Sequence, residues 1–251
     1  MKNKNFCVAN WKMNKNHDDS IEFLKRFSTY DLINKNTEIV ICPSYTSLFS
    51  CVNFQGLPKV SWGAQDVSCK IDGSNTGETS INMIENLRSS YVIVGHSERR
   101  ASFNETNEYV AQKFINIYNS NLTPILCVGE EYEDRKNETF ASILTKQINS
   151  ALSKISNFNK DIVLAYEPVW AIGSGASADI KTISETHALI KNIINKYTLK
   201  NCNIWLLYGG SVNEDNSSEI ISLEDVDGFL IGGASLSPNK FYNIYSSMGG
   251  I

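Results

Sequence analysis

A carboxylate, an imidazole and an ammonium are the side chains of this sequence best placed to move a proton. Glu167 ends the apolar run DIVLAYE (161–167), His96 follows YVIVG (91–95), and Lys12 comes just after FCVAN (6–10), whose last residue is Asn10. Removing a proton next to a carbonyl needs a base on one face and a donor aimed at the oxygen that becomes anionic. A carboxylate serves as the base; an imidazole and an ammonium serve the oxygen. Glu167 also opens EPVWAIGSGA (167–176), a stretch whose Pro and Gly content equally suits an ordinary exit from a strand.

Other polar residues fall at comparable points. Gln65 follows KVSWGA (59–64), Glu98 lies just beyond His96, Ser211 follows NIWLLYGG (203–210), and Gly232-Gly233 close GFLIGG (228–233). Paired glycines expose backbone N–H groups that hold an anion, and they also make plain tight turns. Taken singly, Lys12 reads first as a solvated loop lysine, Asn10 as a loop hydrogen-bonding residue, and Glu98-Arg99-Arg100 as charges at a helix start. His17 and His187 fall in helical segments and read as surface or packing residues. What favours chemistry is convergence, provided that one architecture brings these ends together.

The apolar runs at 6–10, 38–42, 59–64, 91–95, 123–129, 161–167, 203–210 and 228–233 are too continuous for half-exposed strands and suit parallel strands covered on both faces. Segments with helical spacing separate them. In ISETHALIKNIINKY (183–197), Ile183, His187, Ile190, Ile194 and Tyr197 share a stripe. Ser184, Thr139, Asp215 and Asn104 are placed to start helices. Strand then helix, eight times over, predicts a (β/α)8 barrel spanning 1–251 as one domain, with active-site groups at the C-terminal strand ends. The rival is an open doubly wound sheet; its dinucleotide-binding version is weakened because no G-x-G-x-x-G follows the first run.

The bulk properties exclude several classes. With 23 basic and 27 acidic residues and no long Lys/Arg run, nucleic acid is not an expected partner. No apolar run reaches the roughly 18 residues of a membrane span, and the N-terminus is too polar for a signal peptide, so a soluble, cytoplasmic protein is expected. The six cysteines lack C-x-x-C spacing; Cys7, Cys42 and Cys127 sit inside strand-like runs and read as buried thiols.

VANWKMN (8–14), GAQDV (63–67), TGE (76–78), VGHSERR (94–100), CVGE (127–130), AYEPVWAIGSG (165–175), LYGGSV (207–212) and DGFLIGGASL (227–236) together resemble the triosephosphate isomerase family, in its order and along essentially the whole chain. The resemblance implies interconversion of dihydroxyacetone phosphate and D-glyceraldehyde 3-phosphate, a step of glycolysis and gluconeogenesis, without metal or organic cofactor. It implies that Glu167 is the base, His96 the electrophile and Lys12 the positive charge near phosphate and enediolate, with Asn10 beside it. This division between a Glu base and a neutral His is the established pattern of the family and is what the resemblance implies. Gly173, Ser211, Gly232 and Gly233 would contact phosphate, and Glu98 would support Lys12. Residues 168–175 would form a lid with a stiff entry and exit around Ala171-Ile172.

The resemblance also implies a homodimer, in which CKIDGSNTGE (69–78) reaches with Thr76 toward Asn10, Lys12 and Glu98 of the other subunit. Three positions depart from the common pattern: Ala176 at the lid exit, Asp179-Ile180 where Thr-Pro is usual, and Asn75 where an aromatic is frequent. Two other functions are open to a barrel of this kind. An aldolase or lyase barrel would need a Schiff-base lysine late in the barrel or a metal cluster, which the ends of runs five to seven lack. A silent binding barrel fits poorly with intact Glu167, His96 and Lys12.

Overall fold

The computed structural model describes residues 4–33, 36–172, 178–197 and 202–249. Strands β1 (Asn5–Asn10), β2 (Thr37–Cys42), β3 (Val60–Ala64), β4 (Tyr91–Val94), β5 (Thr123–Val128), β6 (Ile162–Tyr166), β7 (Ile204–Tyr208) and β8 (Gly228–Ile231) pair in parallel, in sequence order, and β8 closes on β1. Each lies inside a run read from the sequence or within one residue of it. The expected (β/α)8 barrel is the fold.

Alternation along each strand divides the core in two. Phe6 and Val8, Ile125 and Cys127, and Val163 and Ala165 belong to the cluster filling the barrel interior. Their neighbours Cys7, Ala9, Leu126, Leu164 and Tyr166 pack outward in the cluster beneath the helices. Because both faces are covered, the strands read as continuous apolar runs. Cys7, Cys42 and Cys127 are fully buried as expected, and none of the six cysteines forms a disulfide.

The outer layer comprises α1 (His17–Phe27), α2 (Tyr45–Val52), α3 (Ile81–Asn86), α4 (Ser97–Phe103), α5 (Asn107–Tyr118), α6 (Tyr132–Lys136), α7 (Phe140–Leu152), α8 (Ile180–Ile194), α9 (Ser217–Ile221) and α10 (Pro238–Ser247). The units after β4 and β5 therefore carry two helices each, where one was expected. Asn104 does not start a helix: it stops α4 in a left-handed conformation (φ 53°), and Thr106 Oγ1 caps α5 by accepting from Tyr109 N–H. Asp179, five residues before the expected Ser184, caps α8 by accepting from Thr182 N–H at 2.8 Å. Thr139 does stand at the start of α7, but its hydroxyl donates to the Asp134 carbonyl instead of capping. Asp215 lies one residue before the cap position of α9, held by its N–H to Asn213 Oδ1.

Among the described residues no helix is long and apolar enough to cross a membrane.

Candidate active site

The inner row of β6 runs Val163, Ala165 and, one step beyond the strand, Glu167; that of β1 runs Phe6, Val8 and Asn10. Period-two alternation thus turns the last polar residue of each strand inward at the C-terminal mouth. A cavity of about 550 Å³ opens there, lined by Asn10, Lys12, His96, Glu167, Ser211, Gly232 and Gly233 with Ile172 and the 209–215 segment. Of the residues expected at the site, these seven are brought together. Glu98 stands beside the wall and is tied to Lys12, while Gly173 lies outside the described residues.

Glu167 is only 2% exposed, so its charge depends on protein donors. Its Oε2 accepts the backbone N–H of Ser97 at 3.0 Å, at the first turn of α4, where free N–H groups and the helix dipole favour an anion. Its Oε1 lies 3.0 Å from His96 Nε2. His96 is itself the cap of α4: its Nδ1 accepts the Glu98 N–H at 3.2 Å. An accepting Nδ1 carries no hydrogen, which places the ring proton on Nε2, the atom facing Glu167. The cap of one short helix therefore sets the tautomer.

Lys12 has a left-handed backbone (φ 52°), which costs a non-glycine residue about 1–2 kcal/mol. Neighbouring side chains hold it there. Asn10 Oδ1 accepts Lys12 N–H at 3.0 Å, and the Gln65 amide donates to the carbonyls of Lys12 at 2.8 Å and Cys42 at 3.0 Å. Lys12 Nζ meets Glu98 Oε1 at 2.6 Å, and a Cβ built on Gly232 would lie 3.4 Å from Lys12 Cε. The ammonium is thus fixed between Glu98 and the glycine pair after β8. Strain stored at a site and held by surrounding bonds marks a geometry that the chain maintains.

Beneath the carboxylate, burial pushes the Cys127 thiol well above the usual thiol range, and the Glu167 charge adds to the effect. Cys127 is a neutral thiol there. The segment after Glu167 is anchored at three residues: Val169 N–H donates to the Glu130 carbonyl at 3.1 Å, Trp170 Nε1 to Glu130 Oε1 at 3.1 Å, and Ser211 Oγ to the Ala171 carbonyl at 2.7 Å. His187, by contrast, is a packing residue, fully buried in α8 with Nδ1 3.0 Å from the Asp225 carbonyl, and His17 is exposed at the start of α1.

Sequence reading missed Lys240, which lines the cavity from α10, and the 213–215 segment. Neither lies at a strand end, and no spacing pattern marks them. Among the described residues no group of three or more His, Cys, Asp or Glu side chains is arranged to hold a metal ion. The arrangement joins a buried carboxylate, an N–H donor of set tautomer and a restrained ammonium at one rim, the parts that proton transfer beside a carbonyl requires.

The family model described as Triosephosphate isomerase matches residues 5–248. The triosephosphate isomerase of Dictyoglomus thermophilum is 41% identical over 247 residues, covering 97% of this chain and 99% of the relative. That of Aquifex aeolicus is 39% identical over 245 residues, again with 97% and 99% covered. That of Fusobacterium nucleatum is 38% identical over 240 residues, with 94% and 96% covered.

Proposed function

The chain belongs to the triosephosphate isomerase family, and from that premise we propose that it interconverts dihydroxyacetone phosphate and D-glyceraldehyde 3-phosphate through an enediolate. Glu167 takes the proton from the carbon beside the carbonyl and returns it to the neighbouring carbon. His96 Nε2–H hydrogen-bonds the oxygens on which negative charge develops, and Lys12 adds a fixed positive charge. Asn10 holds the Lys12 backbone, and Glu98 holds its ammonium. Ser211, Gly232 and Gly233, with Gly173, receive the phosphate, which anchors a small substrate against the reacting groups.

The observation that carries this reading is the His96–Glu167 pair. Its 3.0 Å contact sets a base and a hydrogen-bond donor side by side, and the bond from Glu98 N–H to Nδ1 aims the donor into the cavity. Pro168 to Trp170 serve as the entry, and Ala171-Ile172 as the tip, of a lid that closes over phosphate and excludes water. Support for the lid comes from Ile172 in the cavity wall and from the anchoring of Trp170 and Ala171.

Residues 1–251 form one unit and work as a cytoplasmic homodimer, through a face that includes the 69–78 loop. That loop is exposed at Lys70 to Ser74 and at Thr76 to Glu78, turns at Gly73 (φ 97°) and Gly77 (φ 89°), and is closed at its base by Ser68 N–H to the Thr79 carbonyl. Exposed Met13, Phe49, Ile71, Met83 and Phe103 all follow β1 to β4, the same side of the barrel, and apolar side chains left in water on one side favour a partner there. A coupled assay of the purified protein with D-glyceraldehyde 3-phosphate tests the function: turnover to dihydroxyacetone phosphate supports it, and its absence in folded protein refutes it.

A further inference from the structure

β4 ends at Val94, paired with Leu126, while β5 continues. Beyond that point alternate residues of β5 and of the segment after it still turn their backbone groups toward the end of β6: the Val128 carbonyl accepts from Glu167 N–H at 2.8 Å and the Glu130 carbonyl from Val169 N–H at 3.1 Å. The Cys127 carbonyl and both backbone groups of Gly129 turn the other way, past the last pair of β4, where no strand remains to receive them, and unmade backbone hydrogen bonds are costly in a protein interior. Two side chains take the place of the strand. Arg100 Nη2 donates to the Cys127 carbonyl at 3.3 Å. Gln147, from α7, accepts Gly129 N–H at 2.8 Å on Oε1 and donates from Nε2 to the Gly129 carbonyl at 2.9 Å. Only one orientation of the amide makes both bonds, so the backbone of Gly129 fixes it.

Gly129 is the residue on which the Glu167 peptide rests. A Cβ built there would stand 1.8 Å from the Glu167 carbonyl oxygen and 3.3 Å from Glu167 Cβ, so the two backbones are in direct contact. A separate cavity of about 260 Å³, lined by Gly95, Ser97, Arg100, Gly129, Gln147 and Glu167 among others, lies on this side and offers the strand end room to move. We propose that Gln147 is a positioning residue for Glu167: by holding both backbone groups of Gly129 it keeps the Glu167 main chain, and with it the carboxylate, at the place where His96 Nε2 and Ser97 N–H meet it. The inference rests on the reading of Glu167 as the base.

Gln147→Leu removes both bonds at similar size. Gln147→Glu retains an acceptor for Gly129 N–H and, when ionised, loses the donor to the carbonyl. Small misplacements of a reacting group are costly, so kcat of Gln147→Leu should fall on the order of ten- to a hundredfold. KM and the inhibition constant for inorganic phosphate should stay unchanged, because Lys12, Ser211, Gly232 and Gly233, which carry the proposed phosphate site, follow β1, β7 and β8 and none of them touches Gln147. Gln147→Glu should lie between the two. A folded Gln147→Leu enzyme with wild-type kcat, or one that loses phosphate affinity along with kcat, overturns the proposal. If Gln147→Leu does not fold, Gln147→Glu decides in the same way: lower kcat at constant KM supports the proposal, and wild-type kcat overturns it. If the unaltered protein shows no isomerisation, the functional reading fails. Crystal structures of the variants then judge Gln147 separately: a displaced Glu167 carboxylate supports the role, and one still within hydrogen-bond distance of His96 Nε2 overturns it.

Discussion

His96 Nε2 and Glu167 Oε1 face each other at 3.0 Å, and neither side chain is free to choose another partner on its own face of the cavity. The imidazole is committed through Nδ1 to the first turn of α4, and the carboxylate through Oε2 to Ser97 N–H of the same turn. One helix start therefore sets the direction of both groups. In the proposed reaction a substrate carbonyl that took the Nε2–H bond would have Oε1 beside it to serve as the base.

Glu167→Gln keeps the size of the side chain and removes its basicity. General base catalysis is worth about 10²–10⁴-fold, so kcat should drop by that order while affinity for inorganic phosphate stays close to that of the unaltered enzyme. Steady-state kinetics and phosphate inhibition on one preparation check it; near-normal turnover would remove Glu167 from the role.

Lys12→Met should weaken substrate binding and turnover together, because the proposed role has one ammonium serve both the phosphate and the developing oxyanion. Its bond to Glu98 is partly exposed, and such a pair alone contributes about 0–1 kcal/mol. The loss in kcat/KM should exceed that, since the cavity screens charge poorly. Unchanged KM and kcat would reduce Lys12 to a loop residue with a surface ion pair.

Asp179→Ala removes the cap of α8 and should cost about 1 kcal/mol of stability near neutral pH. Backbone and side-chain hydrogen bonds from Thr182 hold the Asp179 carboxyl below its ordinary value. A carboxyl lowered in the folded state stabilises above its unfolded value of about 3.9 and loses that contribution as pH falls through the folded value. Thermal unfolding of both proteins from neutral to acid pH should show the gap narrowing only at the acid end. A gap that is constant down to strong acid would contradict the cap assignment.

Activity per subunit should fall on dilution together with the dimer, because Lys12 and Glu98 lie where the 69–78 loop is proposed to dock. Asn75 donates to Ser68 Oγ at 3.3 Å within its own loop, and it cannot supply the burial of an aromatic, worth up to about 3 kcal/mol. Sedimentation and assay at matched concentrations test the link; a fully active monomer would break it.

The strands and their polar ends were legible because a buried parallel barrel imposes continuous apolar runs, and the last inward residue of each has nowhere to face but the mouth. Glu167 and Asn10 could be placed on that ground alone. The extra helices after β4 and β5 were not legible, since the break at Asn104 depends on a left-handed turn and a threonine cap that look like ordinary helix surface. Asp179 was passed over for Ser184, although the acceptor lying just before the first buried turn wins. Gln147 left no trace in the sequence because its partner is backbone, and backbone partners have no residue type.

Proton transfer by a carboxylate through an enediolate is tested most directly by following D-glyceraldehyde 3-phosphate with the purified protein in D₂O by ¹H NMR. The expected result is formation of dihydroxyacetone phosphate that carries solvent deuterium at C1, because a proton held on Glu167 exchanges with solvent before its return. Absence of isomerisation, or a product in which the substrate's own C2 hydrogen is wholly retained at C1 as in a hydride shift, would contradict the account.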